Sequence, residues 1–490
     1  MFLRSRFSVR SSQVILLGVF VLSLPAVTTR IYASDEVEGF AWLHSLAFDR
    51  DVSFENEYRY FYDSGQVKNP AFHETFLESR RTVVGRRLNF TTMGSAILWA
   101  PFYAVGHVIA LSTGAPADGL GQPYVAAVAI GSACYGFAAL LLSAAMARRI
   151  VGNGLSAAVA VWIGTPLLFY MYVTPVFAHA CSAFAVALFV WTWLRVRASW
   201  SLPGAVGLGL AGGLMMMVRA QDAFFIAGPA LDFARWALAG SGALGRDRPG
   251  PKAWGLGPAL AGTISFLAAY TPQLLAYQGL NGHLRLSVEE TRKMTWTSPH
   301  RLQVLFDHEH GLFFWTPLAL VAAAGLVMLA IRPPDGPADS RSRFSPGRPQ
   351  GTDFRSRRAD MRWIGFCALV MFALQAYIAG AVESWTVAGA FGQRRFVSLT
   401  PLLVLGLATV LAIIPRRRVW PRAITTAVIV ACIWWNLGLM ALFGLHQMDR
   451  QRLTLGDNAW RTFVALPRDA PAIAWRYFTD RSSFYEPSRR

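Results

Sequence analysis

Charged residues are scarce in this chain of 490 residues. Asp, Glu, Lys and Arg together make up 15% of it, against about 25% in an average soluble domain. Hydrophobic residues make up 54%, and the mean hydropathy is +0.36. These values exclude a soluble globular protein and also a disordered chain.

Acidic residues are the scarcest charged class, with 28 Asp and Glu against 46 Lys and Arg, which gives a net charge of +18. A basic excess often indicates nucleic-acid binding. Here the basic residues form short clusters between apolar runs, a pattern typical of membrane topology. We therefore expect membrane lipids as partners and no nucleic acid.

Cysteine is also rare. The four cysteines, Cys134, Cys181, Cys367 and Cys432, all lie in apolar stretches and match neither a CxxC nor a zinc-ligand spacing. This excludes a disulfide framework and a cysteine-rich metal site, so we interpret the cysteines as packing residues.

Long apolar runs make up much of the sequence. A membrane-spanning helix needs about 20 mostly apolar residues. Runs of that kind begin near Gln13, Tyr124, Leu155, Ser182, Leu202, Ala223, Trp254, Gly311, Trp363, Val397 and Ala423. A twelfth stretch, Met93 to Leu111, contains Pro101, Gly106 and His107. The sequence therefore predicts an all-α polytopic membrane protein.

The distribution of basic residues predicts the topology. If the N-terminus is cytoplasmic and the twelfth stretch does not cross, the large basic clusters all fall on the cytoplasmic side. The short outer connections then hold only Arg219, Arg394 and Arg395. This predicts about 11 crossings of the membrane. Arginine occurs 43 times against three lysines, which suits a GC-rich bacterial genome, so we expect the bacterial cytoplasmic (inner) membrane. The twelfth stretch is then a re-entrant or interfacial segment on the outer face.

Four regions follow from this topology. Residues 1–332 form a transmembrane module with a large outer loop at 30–92, and its first helix has no small-residue cleavage pattern. Residues 333–362 are rich in Pro, Gly, Ser and Arg and predict a flexible cytoplasmic linker. Residues 363–443 hold the C-terminal transmembrane helices. Residues 444–490 form an extracytoplasmic tail in which Trp460, Trp475 and Tyr477 could cover a substrate entrance.

Ionisable residues are almost absent inside the spans, which argues against an ion-coupled transporter. They gather instead at the predicted outer ends of the helices. Five separate connections bring acids, histidines and arginines to that one layer: Asp35 and Glu36; His179; Arg219 and Asp222; Asp307, His308, Glu309 and His310; and Glu383, Arg394 and Arg395. Such convergence suits a site for a substrate that lies half in lipid and half in water.

Two kinds of chemistry fit these residues. Asp35 or Glu36 could act as a general base or could ligate a divalent cation, although acids at a helix start are often simply solvated. Arg394 and Arg395 precede a helix and could bind a phosphate, or they could be a snorkelling pair at the membrane boundary. Arg219 could also bind phosphate or could pair with Asp222 one turn away.

Histidines leave further alternatives open. His179 is either a substrate-binding or a packing residue. The run Asp307-His308-Glu309-His310 contains ligand types that suit zinc or manganese, but adjacent residues seldom point to one centre, so a polar cap before the next span is the alternative. No cofactor is certain, and a divalent cation stays open.

Several motifs resemble the GT-C superfamily of integral-membrane glycosyltransferases. The run S-D-E-x-E-G-x-x-W-L-x-S-L-x-x-D-R-D at 34–51 resembles the first outer loop of that superfamily. It is most similar to the bacterial branch of protein mannosyltransferases and the aminoarabinose transferase. The segments at 93–102, 217–222, 311–317 and 392–396 resemble further parts of that branch in the same order.

The resemblance implies a GT-C-type fold whose first outer loop carries juxtamembrane helices. It implies transfer of a sugar from a polyprenyl-phosphate donor to a lipid, glycan or protein acceptor on the extracytoplasmic face. By motif position Asp35 is the expected catalytic base, with Glu36 as second choice, and Asp222, Glu383 or Glu309 would supply a second acid. Two alternatives are a polymerase or ligase that uses polyprenyl-diphosphate oligosaccharides, and a lipid-linked sugar flippase or transporter.

Overall fold

The structure of the chain is a computed structural model that describes residues 2–78, 81–240, 256–297, 300–335, 350–414, 419–480 and 483. These residues are mostly helical, and their only β-type pairings are two isolated bridges, Arg81 with Arg87 and Met294 with Val382. The predicted all-α class is confirmed.

The helices are α1 Phe2–Ser23, α2 Ser34–His44, α3 Glu55–Asp63, α4 Pro70–Phe72, α5 Gly94–Thr113, α6 Gln122–Val151, α7 Leu155–Gly164, α8 Leu167–Tyr172, α9 His179–Val196, α10 Leu202–Val218, α11 Ala227–Gly240, α12 Leu256–Asn281, α13 Val288–Arg292, α14 Gln303–Phe306, α15 Leu312–Trp315, α16 Pro317–Ile331, α17 Gln350–Ala381, α18 Thr400–Ile413, α19 Val419–Gly444, α20 Leu455–Trp460 and α21 Leu466–Thr479. Short 3-10 helices cover Leu24–Ala26, Ala220–Ile226, Val387–Gly389 and Arg394–Leu399, and π-helical turns cover Ser45–Asp49, His73–Glu78 and Arg461–Ala465.

Among the described residues, seven helices are long and apolar enough to cross a bilayer: Gly94–Thr113, Gln122–Val151, His179–Val196, Leu256–Asn281, Ser356–Ala381, Arg394–Ile413 and Val419–Gly444. Four shorter apolar helices accompany them: Gln13–Ala26, Leu155–Gly164, Leu202–Val218 and Pro317–Ile331. The chain is therefore a multi-pass membrane protein. The number of crossings stays a prediction.

Glycines allow the closest helix contacts. A Cβ atom on Gly325 of α16 would lie 2.0 Å from the Gly406 carbonyl of α18, and one on Gly406 would lie 2.0 Å from the Ala322 carbonyl. Small residues at such contacts are typical of membrane helices, because the gain there comes from close backbone packing.

Polar clusters lie at opposite ends of α9. At its C-terminal end Arg197 pairs with Asp232 of α11 and with Asp360 of α17, at 2.9 Å in each case. His179 begins the same helix, 18 residues long, and lies about 27 Å away. The segments predicted to be cytoplasmic therefore meet at one end, and the predicted outer residues meet at the other.

The stretch from Met93 to Leu111 is a regular helix, α5, and not a re-entrant loop. At its start the Thr92 hydroxyl donates to the Val218 carbonyl. At its other end the turn around Gly119 packs against the His44 and Phe48 rings of the loop at 30–92. By length and composition α5 is one of the seven candidate spans, so the expectation that this segment does not cross stays a prediction.

The predicted linker at 333–362 differs from the structure in its second half. Residues 350–362 form the first turns of α17, and 336–349 lie outside the described residues. Pro333, Pro334, Pro337, Pro346 and Pro349 all precede the helix. The prediction extended a composition bias across residues that are free of proline and able to continue the helix.

The loop at 30–92 folds into the predicted helices and packs onto the bundle. Its core contains aromatic rings that are fully buried, namely Phe40, Trp42, Phe54, Tyr58 and Phe61. The Trp42 indole donates to the Thr91 carbonyl, 3.2 Å away, and so closes the loop on itself. This packing holds the start of α2 beside Arg394, in the 3-10 turn that precedes α18.

Candidate functional site

An ion pair joins the first loop to the C-terminal helices. Asp35 lies in the first turn of α2, and its Oδ2 is 2.6 Å from Nη1 of Arg394. Arg394 begins the 3-10 turn that leads into α18. Its guanidinium lies over the Phe177 ring, 5.4 Å from the ring centroid. Two of the predicted site residues are therefore in direct contact.

A second contact joins Arg219 and His179, whose Nη1 and Nδ1 atoms are 2.9 Å apart. Because arginine only donates hydrogen bonds, Nδ1 of His179 must be the acceptor, and its proton lies on Nε2. Arg394, Asp35 and Asp222 all act on Arg219 electrostatically, although burial is the main influence and lowers its pKa. The structure thus brings Asp35, His179, Arg219 and Arg394 to one site.

Arg395 is held through its backbone. Its carbonyl accepts from Nε2 of Gln221, at 3.1 Å, and from Nε2 of Gln375, at 2.8 Å. Its Nη2 donates to Ser384, while its Nε is buried without a hydrogen-bond partner. Two glutamine side chains therefore fix the turn that presents both arginines.

Aromatic rings form the wall behind these charges. Tyr170 lies edge-on to His179, with centroids 4.4 Å apart, and Phe177 stacks on the other side at 5.7 Å. The Tyr170 hydroxyl donates to the Phe391 carbonyl at 3.0 Å. These aromatic residues are not among the predicted site residues, because aromatic residues at helix ends are common in membrane proteins and do not indicate a site.

Glu36 has a different environment from its neighbour Asp35. It is fully buried, and its Oε2 accepts from the backbone N–H groups of Tyr32 and Ala33, which caps the start of α2. Burial raises its pKa to about 8. A protonated, capping side chain stabilises the helix start, so Asp35 is the acid that faces the arginines.

The other predicted acids differ in exposure. Asp222 is buried, and its Oδ2 accepts from the Ser182 hydroxyl at 2.6 Å rather than pairing directly with Arg219. Burial raises the pKa of Asp222 to about 6. Glu383 is exposed and precedes Ser384, the residue that binds Arg395.

The run at 307–310 does not form a convergent ligand set. Oδ1 of Asp307 accepts from the Glu309 backbone, and Nδ1 of His308 is 3.6 Å from that same oxygen. His310 is buried, stacks on Trp315 and contacts the Ala390 carbonyl through Nε2. Its left-handed φ of 84° turns the chain there. These side chains support a local turn before α15.

A cavity of about 1010 Å³ lies next to this site, although Asp35, His179, Arg219 and Arg394 are not among its lining residues. It shares the rings of Tyr170, Phe177 and Phe391 with the site. Of the described residues, its lining includes the cationic side chains of Arg30, Lys68 and Arg450, and no aspartate or glutamate. Tyr477 of the tail also lines the cavity, whereas Trp460 and Trp475 are 57% and 73% exposed. A basic, aromatic cavity of this size suits a large anionic ligand.

Comparison with known proteins found no matching family model and no matching curated protein. Among solved structures, the chain is similar to ArnT from Cupriavidus metallidurans, in a crystal structure bound to undecaprenyl phosphate. The identity is 14% over 92% of this chain and 74% of that chain, with a TM-score of 0.44. At that level of likeness, the residues of this chain have to carry the functional inference.

Proposed function

We propose that this protein is an integral-membrane glycosyltransferase of the GT-C type, which transfers a sugar from a polyprenyl-phosphate donor to an acceptor hydroxyl on the extracytoplasmic face. One observation carries the proposal. The Asp35 carboxylate pairs with the Arg394 guanidinium, with Arg219 and His179 in the same site, and the Phe177 and Tyr170 rings that contact Arg394 and His179 also line a large basic cavity.

The reaction assigns one role to the acid. Asp35 accepts the proton of the acceptor hydroxyl while the hydroxyl oxygen forms a bond to the anomeric carbon. The bond between that carbon and the phosphate oxygen breaks, and its electron pair leaves with the polyprenyl phosphate. Asp35 suits this role because its side chain is 44% exposed, whereas Glu36 is buried and capping.

The arginines have the complementary role. A departing phosphate gains negative charge, and a planar guanidinium can bind two of its oxygens. Arg394 and Arg219 are held by contacts to Asp35 and His179, so their positions are set before a substrate binds. Preorganised donors of this kind stabilise developing charge in the transition state.

The cavity supplies room for the sugar and the acceptor. Its aromatic side chains offer flat apolar faces to sugar rings, and its three cations attract phosphate-bearing lipids. A lipid, glycan or protein acceptor is compatible with this lining. The experiment therefore has to follow the donor rather than assume an acceptor.

A reconstituted assay tests the proposal. Full-length protein in liposomes receives a panel of radiolabelled polyprenyl-phosphate monosaccharides with a membrane-lipid and cell-envelope extract as acceptor. We expect sugar transfer with release of polyprenyl phosphate, and a loss of about 100-fold or more in Asp35→Asn. Asp63→Asn, an exposed aspartate at the end of α3, is the matched control.

Three results would contradict it. One is wild-type protein that transfers no sugar from any donor in the panel. Another is equal transfer by wild type and Asp35→Asn. The third is activity only with diphosphate-linked oligosaccharides, with release of polyprenyl diphosphate, which would favour a polymerase or ligase.

A further inference from the structure

A second cluster of ionisable side chains lies within the loop at 30–92. Among the described residues, the only group of three or more possible metal ligands whose ligand atoms all lie within 4.8 Å of one another consists of His44, Asp49 and Glu57. Nδ1 of His44 is 2.8 Å from Oε1 of Glu57 and 3.2 Å from Oδ2 of Asp49. None of the three belongs to the site around Asp35.

Local backbone geometry brings the first two ligands together. His44 and Asp49 are five residues apart, and in a regular α-helix their side chains would point about 140° apart. The chain from Ser45 to Asp49 instead forms a π-helical turn, which ends at Arg50 in a left-handed conformation with φ of 58°. The wider turn places Asp49 on the same side as His44.

The spacing of the ligand atoms fits a small metal ion. Ligands of a tetrahedral zinc ion at bond lengths of 2.0–2.1 Å lie roughly 3.3 Å apart. The two measured separations, 2.8 and 3.2 Å, are close to this value, so an ion requires only small side-chain shifts. One imidazole and two carboxylates form a ligand set that zinc accepts, with a fourth position left for water.

Glu57 provides the independent indication. Its side chain is fully buried, and its Oε2 has no hydrogen-bond partner. A buried carboxylate with an unsatisfied oxygen is costly unless a cation or a donor satisfies it. Its carboxylate already reaches the His44 ring, so a cation beside that ring would also meet Glu57.

Neighbouring groups fix the orientation of the His44 ring. The Asp118 backbone carbonyl accepts from the His44 ring, and a histidine that donates one N–H to a carbonyl presents its other nitrogen to a metal. The Phe48 ring stacks on His44 with an interplanar angle of 5°. Asn56 donates to Oδ2 of Asp49 at 2.7 Å. His44 and Asp49 thus each have a neighbour that fixes the orientation of the side chain.

We infer that His44, Asp49 and Glu57 form a zinc site that joins the C-terminal end of α2 to α3. A divalent ion balances two carboxylates and a neutral imidazole, whereas an imidazolium in its place would leave one negative charge in excess. The site lies on the helix whose first turn carries Asp35. Its role is to fix that helix in the folded loop.

Metal content and thermal stability of the full-length protein test the inference. Protein in detergent is stripped with a chelator, dialysed and titrated with zinc chloride. We expect one zinc per chain by mass spectrometry of the metal and a rise in the melting temperature, because a ligand that binds the folded state stabilises it. In Asp49→Asn we expect the zinc affinity to fall roughly tenfold or more.

Variants distinguish this site from others. Glu57→Gln keeps the shape of the buried side chain and should lower the zinc affinity. If Glu57→Gln fails to fold, Asp49→Asn still tests the site, because the Asp49 side chain is 32% exposed and its replacement should not disturb folding. Asp307→Asn with His308→Ala, in the run that looks metal-like in sequence, should keep the wild-type zinc content.

Several outcomes would overturn the inference. One is wild-type protein that retains no zinc and shows no rise in melting temperature. Another is Asp49→Asn protein that binds zinc with the wild-type affinity. The third is wild-type protein that binds magnesium more tightly than zinc. These readouts do not depend on sugar transfer, so they remain informative even if the proposed function is wrong.

Discussion

Oδ2 of Asp35 lies 2.6 Å from Nη1 of Arg394, although 359 positions separate the two residues in the chain. The contact joins the first helix after the first span to the start of α18. In the proposed reaction, Asp35 accepts the proton of the acceptor and Arg394 binds the departing phosphate.

Replacing Arg394 should reduce turnover more than substrate binding, because the phosphate gains charge in the transition state. We expect Arg394→Ala to lower kcat by about 100- to 1000-fold. Arg394→Lys should fall between that variant and wild type, since lysine keeps the charge but loses the planar pair of donors. Steady-state kinetics with the labelled donor measure both effects.

The exposed Arg59, paired with Glu55 on the surface of α3, offers the matched control as Arg59→Lys. Its kinetics should equal those of wild type. If Arg394→Lys had full activity, bidentate binding of the phosphate by Arg394 would be ruled out.

The sequence predicts the layer of this site but not its internal arrangement. Asp35, His179, Arg219 and Arg394 are recognisable because polar residues at the ends of apolar runs are few. In the sequence, the preference for Asp35 over Glu36 rests on motif position alone. Adjacent helical residues point about 100° apart, and tertiary packing decides which one is buried.

The same limit applies to metal ligands. The run at 307–310 looks metal-like because its residues are adjacent, whereas His44, Asp49 and Glu57 converge only through a π-helical turn and a second helix. Arg30, Lys68 and Arg450 likewise reach one cavity from three distant segments. The local sequence pattern reveals neither the metal ligands nor the cavity cations, because these residues come together only in the folded chain.

The buried carboxyl group of Glu36 should make the free energy of unfolding depend on pH. Burial raises its pKa to about 8 in the folded protein, from 4.5 in the unfolded chain. The folded state therefore holds a proton that the unfolded state releases between these values. The free energy of unfolding should fall as pH rises from about 4.5 to about 8, by at most about 1.4 kcal/mol per pH unit from this group.

Glu36→Gln isolates the effect, because glutamine stays neutral and can still accept from the Tyr32 and Ala33 backbones. The melting temperature of Glu36→Gln minus that of wild type should increase from pH 5 to pH 8. A difference that stays constant over this range would show that Glu36 is not protonated in the folded protein.

Replacing Gly94 tests whether the contact between the start of α5 and the end of α10 sets the position of Arg219. A Cβ atom at this position would lie 2.3 Å from the Met217 carbonyl carbon and 2.3 Å from the Val218 nitrogen. Both are backbone atoms, so Gly94→Ala must push α5 away from the end of α10. We expect a lower melting temperature and, in the folded fraction, weaker donor binding.

Gly18→Ala is the control, because nothing lies within 4 Å of a Cβ atom there and alanine favours a helix. It should leave both properties unchanged or raise stability slightly. Wild-type stability and binding in Gly94→Ala would show that this contact does not set the position of Arg219.

Replacing Asp232 should lower the stability of the protein without changing its turnover. Its carboxylate accepts from the Trp193 indole at 3.0 Å, the Trp363 indole at 2.7 Å and the Arg197 guanidinium at 2.9 Å. Asp232→Ala leaves one buried donor, Trp193, and two partly buried donors, Trp363 and Arg197, without this acceptor and should cost about 3 kcal/mol of stability. Asp360→Asn should cost less than about 1 kcal/mol, because Asp360 is 51% exposed.

Both substitutions should leave the turnover of the folded enzyme at the wild-type level, since this network lies at the far end of α9 from His179. Thermal melts and transfer assays on the same preparations measure the two properties together. A large loss of turnover in folded Asp232→Ala would mean that the two ends of the bundle are coupled. The chemistry would then depend on more than the residues around Asp35.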